Sequence, residues 1–247
     1  MTNSKLLFLL TATLLVVSCA PASPPSSTLA PEDVTIDSQD IATRFSGKVV
    51  QAARNKPHSP PFMNGVPQHL RFAFDQDQLP GFVHYRERQL LIYPVNAYRE
   101  LFRNASTEQG KFDKEMKILQ KLITNGSVGT TGMIPVLPPV ETMQFFCSQI
   151  RYLDFAGGAG VRFITRYTMK VSPTTNENMF YTFQGVTSDG KYYISAFYPV
   201  TAKGLPETAE TLITINFLNR LASADFAPDL ARMDDMIKSL RLVEQLR

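Results

Sequence analysis

One dipeptide constrains this chain more than any other: Asp189-Gly190 stands between two runs of aromatic and β-branched residues, 178–187 and 191–200. A two-residue hairpin turn needs positive φ, which glycine adopts at no steric cost, so Asp-Gly in that setting specifies an antiparallel pair. Side chains alternate along the first run, with Phe180, Thr182 and Gln184 on one face and Met179, Tyr181 and Phe183 on the other. Residues 144–155 and 160–169 read as a second pair, joined by Ala156-Gly157-Gly158-Ala159. Together, 144–200 read as a four-stranded antiparallel meander.

Earlier strands can extend it. Residues 47–51 and 69–75 read as short strands around a proline-rich loop, and 81–85 with 89–93 read as a hairpin about Arg86-Glu87-Arg88. A helix is expected over 107–124, with Ser106 and Gln109 forming a capping box and Asn125-Gly126 closing it. Its Phe112, Met116, Leu119, Leu122 and Ile123 share one face. Residues 126–139 hold three glycines and three prolines and read as a connector, a place where two lobes can meet (126–140). Two further helices are expected over 207–222 and 229–242, although Thr211 to Ile215 suits a strand equally by propensity. The expected fold class is α+β, an antiparallel sheet with helices packed on one face.

The N-terminus carries an address. Lys5 precedes twelve uncharged residues, 6–17, too few for the roughly 20 that span a bilayer but suited to the core of a secretory signal. The run ends in Val16-Val17-Ser18-Cys19, which resembles the bacterial lipobox. That resemblance implies removal of residues 1–18, a diacylglycerol on the Cys19 sulfur and an acyl chain such as palmitate on the new amino group. Ala20 after the cysteine implies the outer membrane in a host that has two. A Pro/Ser/Ala tract over 20–28 reads as a tether within a 19–40 linker, leaving 41–247 as the globular body. The competing reading is an ordinary cleaved signal that happens to end near a cysteine.

The formal charge of +3 drops by one when Lys5 leaves, so nothing points to nucleic acid. Lipidation of Cys19 leaves Cys147 alone in an apolar stretch, where an inert buried thiol is expected. The C-terminal Pro228-Asp229-Leu230, followed by Met236-Ile237 and Ser239-Leu240, resembles small extracytoplasmic domains of the PsbP/Mog1 type. The meander is similar to uncharacterised bacterial lipoproteins sharing its Gly157-Gly158-x-Gly160-Val161-Arg162 and Asp189-Gly190-Lys191-Tyr192-Tyr193 patterns, a likeness that implies no function.

Signals for chemistry are sparse. His58, His69 and His84 lack the i, i+4 spacing of a helical zinc pair, and Asp75-Gln76-Asp77 lacks the later ligands of a calcium loop, so no metal or cofactor is expected. No Gly-x-Ser-x-Gly elbow occurs, and Gly157-Gly158-Ala159-Gly160 leads into a strand rather than a phosphate-binding helix. One cluster stands out. Arg162 and Arg166 share a face, Arg151 can pair across from one of them, and Tyr167 borders them. Such a surface can grip an anionic or carbohydrate ligand, though a solvated outer face has the same composition. The expected function is a lipid-anchored, extracytoplasmic, non-catalytic binding module for an envelope protein or small ligand. The alternative is a cell-envelope hydrolase with a scattered site near His84 and Glu87.

Overall fold

Four central strands are apolar on both faces, as Leu90-Leu91-Ile92-Tyr93 illustrates, and a strand of that kind must be covered twice. The computed structural model describes residues 29–54, 65–76, 84–102, 106–126, 133–138, 142–208 and 210–243. Seven strands form one fully antiparallel sheet: β1 (Phe45–Val50), β2 (His69–Phe74), β3 (Gln89–Pro94), β4 (Ser148–Phe155), β5 (Gly158–Thr165), β6 (Phe180–Thr187) and β7 (Tyr192–Pro199). Their order across the sheet is β1-β2-β3-β7-β6-β5-β4. The meander is there, with Gly190 at φ 69° in the β6–β7 turn and Gly157 at φ 89° between β4 and β5.

Helices α1 (Val95–Glu100) and α2 (Ser106–Asn125) lie on one side, α3 (Thr211–Arg220) and α4 (Leu230–Lys238) on the other. This corrects the expectation of helices on one face. Tyr181, Phe183, Ile194 and Leu90 pack with Leu218 of α3 and with Leu230, Met233 and Ile237 of α4. Phe163, Phe180, Phe197 and Leu91 pack instead with Tyr98 of α1 and Phe112, Met116 and Leu119 of α2. Residues 134–137 join this second core, and strands from both sides of the 126–140 connector share the single sheet.

Residues 211–215 resolve as helix, because Thr214 and Leu218 reach the core one turn apart. Asp229 caps α4 by accepting from the Ala231 N–H, and the helix stops at Lys238. The chain beyond it, Arg241–Leu242, pairs with Val34–Thr35 instead of continuing the helix to 242. The expected partner of β3 also differs. Both its edges are occupied, by β2 and β7, and residues 84–88 form a turn rather than part of a strand. Residues 81–83, the signal, Cys19 and the tether to residue 28 lie outside the described residues. Among the described residues, no helix is long and apolar enough to cross a membrane.

Candidate functional site

The four residues expected to form a ligand-binding surface divide between three structural tasks. Arg151 and Arg162 are register partners on β4 and β5, as the pattern allowed. Both reach Asp234 of α4, Arg162 from the interior and Arg151 from an exposed position. Arg162 is 1% exposed and donates to both oxygens of Asp234, Nε to Oδ1 at 2.8 Å and one terminal nitrogen to Oδ2 at 2.7 Å. Its other terminal nitrogen donates to the Gln149 carbonyl, at a bulge where Gln149 sits at φ 52°. The Tyr181 hydroxyl donates to the same carboxylate at 3.2 Å, and half-exposed Arg151 adds a longer contact at 3.3 Å. The whole assembly clamps α4 to the sheet.

Arg166, also 1% exposed, stacks 4.0 Å from the Phe145 ring and donates to the Ser172 hydroxyl and the Ser172 and Pro173 carbonyls. It organises its own loop. Tyr167 is half-buried between Tyr85 and Phe180, and its hydroxyl accepts from Gln144. The expected open arginine–tyrosine surface is therefore corrected: Arg162 and Arg166 are interior groups engaged with protein, because Asp234 and the 172–173 carbonyls reach them first.

Two other expectations can be placed. The Cys147 thiol donates to Gln144 Oε1 at 3.0 Å, and burial pushes its pKa up to about 12. His84 lies in the turn before β3, where its Nδ1 accepts from the Arg86 N–H at 3.3 Å and its ring stacks on Tyr85. Asp75 accepts from Thr43 and Arg44 in a turn at φ 53°, which holds its carboxyl below the usual range. Among the described residues there is no group of three or more His, Cys, Asp and Glu side chains able to hold a metal.

The unusual chemistry lies on the α1–α2 face. A polar band crosses the strands there, fully buried: His69 and Arg71 on β2, Gln89 and Tyr93 on β3, Tyr193 and Ser195 on β7, and Thr182 and Gln184 on β6. Six of its eight side chains are hydrogen-bonded to protein. Gln184 accepts from Tyr193 and from the Leu137 N–H, and donates to Thr182 and Ser195. Arg71 donates to Gln89 at 2.8 Å.

The other two, His69 and Tyr93, keep polar atoms that are not, as does Tyr98 of α1 beside them. His69 donates from Nδ1 to the Pro67 carbonyl at 2.8 Å, which leaves Nε2 as an acceptor with no partner. The hydroxyls of Tyr93 and Tyr98 also have none. The three rings touch in sequence, His69 to Tyr93 at 4.6 Å between centroids and Tyr93 to Tyr98 at 5.4 Å. Burial, reinforced by the Arg71 charge, depresses the His69 pKa to about 4, so the ring is neutral at physiological pH. Burial drives both tyrosine pKa values up, so their protons stay on. The cluster thus offers two hydroxyls and one nitrogen acceptor beside a guanidinium. The sequence gives no short-range sign of it: His69 stands alone at a strand start, Tyr93 ends the 89–93 run, and no local pattern links Tyr98 to either.

No protein-family model matches the chain, and neither a curated protein nor a solved structure matches it significantly.

Proposed function

We propose that the chain is a lipid-anchored, extracytoplasmic, non-catalytic binding module that holds a small hydroxyl-bearing ligand, a sugar or polyol, against His69, Tyr93 and Tyr98. One observation carries the binding part: three contacting, buried rings each keep a polar atom without a partner. Each such orphan costs about 1–3 kcal/mol, so a fold that keeps three together is best explained by something that satisfies them. The chemistry selects the ligand class. Neutral His69 Nε2 can only accept, so its partner must bring a proton, which a carboxylate lacks at neutral pH and a hydroxyl supplies. The anchoring part rests on the order of signal, Val16-Val17-Ser18-Cys19 and Pro/Ser/Ala tether.

The test is a crystal structure of the protein purified from its own envelope. Density larger than water within hydrogen-bond distance of Tyr93 Oη, Tyr98 Oη and His69 Nε2 is expected. An empty or purely aqueous cluster contradicts the assignment.

A further inference from the structure

At the far end of β4 and β5, the chain builds a small ribbon from Met143–Gln144 and Tyr167–Thr168. Buried Arg166 braces its base through Phe145, Ser172 and Pro173. At the tip, the Thr168 hydroxyl donates to the Lys170 carbonyl at 2.6 Å and accepts from the Lys170 N–H at 3.1 Å, fixing a tight turn. This ordered scaffold presents apolar side chains to solvent: Met169 is 81% exposed, Val171 75% and Met143 64%. Met133 is half-exposed next to Ile134, which Gln144 binds through both backbone groups. A rigid loop that holds methionine and valine outward, with a lysine between them, is built to meet another apolar phase.

We propose that the 167–173 loop, with Met143, is a membrane-docking surface that inserts Met169 and Val171 into the interfacial region of the lipid bilayer. The proposal rests on the anchoring of Cys19 and identifies how the anchored body lies. Nine residues, hence ten steps along the chain, separate Cys19 from Leu29, where the described chain begins, a reach of at most about 35 Å. The first turn of the body, Pro31–Asp33, packs against β1 at one sheet edge, and the ribbon extends β4 and β5 at the other. Seven strands span about 29 Å at the usual spacing. The tether can therefore lay that far edge on the surface that holds the lipid, and keeps a bilayer at high local concentration beside it. Met169, Val171 and Met143 then bury apolar area while Lys170 faces anionic headgroups.

The experiment uses the lipidated protein in mixed phosphatidylcholine–phosphatidylglycerol vesicles, with an environment-sensitive thiol dye at Met169→Cys or, at the opposite end of the strands, at Lys191→Cys. Cys147, with its pKa pushed to about 12, competes poorly for the dye. Vesicle flotation is scored on the same samples. Docking predicts a blue-shifted Met169→Cys signal, quenched by brominated lipid about twofold or more beyond the Lys191→Cys signal. It also predicts that a Met169→Asp/Val171→Asp double variant floats, keeps its melting temperature and, dyed at Met143→Cys, loses the quenching. Protein that floats with equal quenching at both dye sites overturns docking alone. Protein that fails to float removes the anchor and docking together. A blue shift that grows with protein concentration without vesicles assigns the surface to a second copy and overturns the lipid as occupant.

Discussion

Both carboxylate oxygens of Asp234 on α4 accept from one edge of the Arg162 guanidinium of β5, at 2.8 and 2.7 Å, where both side chains are 1% exposed. Removing the carboxylate leaves a buried cation without its counter-ion. Asp234→Ala should lose about 3–5 kcal/mol in urea unfolding, whereas Arg151→Ala, whose side chain is 55% exposed, should lose under about 1 kcal/mol. Equal losses from the two would mean that the clamp is not centred on Arg162.

His69 makes stability fall in acid. Its folded pKa is lowered to about 4 against 6.5 in the unfolded chain, so the unfolded state takes up the proton first. Stability is full above about pH 6.5 and declines as pH falls toward 4, by at most about 3 kcal/mol. His69→Phe should flatten that part of the profile in thermal melts followed from pH 7 to 4. An unchanged slope in the variant would place the acid sensitivity elsewhere.

Tyr93→Phe separates an idle hydroxyl from a working one. In ligand-free protein the substitution removes an unpaired buried group and should leave stability equal or raise it by about 1 kcal/mol. If the hydroxyl holds ligand, the same variant should lose any melting-temperature increase that a sugar or polyol gives the wild type. Destabilisation of the ligand-free variant by several kcal/mol would show that Tyr93 Oη has a permanent protein partner.

The meander was legible because its instructions are local: Asp189-Gly190 fixes the β6–β7 turn, and β5 follows β4 through a glycine turn. The pairing of Arg151 with Arg162 was legible for the same reason. What those arginines face was not, since Asp234 lies 72 residues beyond Arg162 and no short-range pattern links them. The second covered face was hidden by its own chemistry. Thr182 and Gln184 alternate like solvent-facing residues, yet both are fully buried, because Ser195, Tyr193 and the Leu137 backbone meet their polar ends. The His69–Tyr93–Tyr98 cluster draws on β2, β3 and α1, and only the register of β2 against β3 brings it together.

Cys147 should behave as a silent thiol. Half-buried, with its pKa pushed to about 12 and its Sγ held by Gln144, it should react only slowly with a disulfide reagent at pH 8. Denaturant should raise that rate by orders of magnitude. A rapid native-state reaction would contradict the burial.

Whether the body is tied to a membrane through Cys19 is decided by intact mass and N-terminal peptide mass spectrometry of the mature protein from its own host. The expected result is a chain beginning at Cys19 that carries diacylglycerol and, on the amino group, a further acyl chain. A chain that starts at any other residue, or at Cys19 with an unmodified thiol, would contradict it.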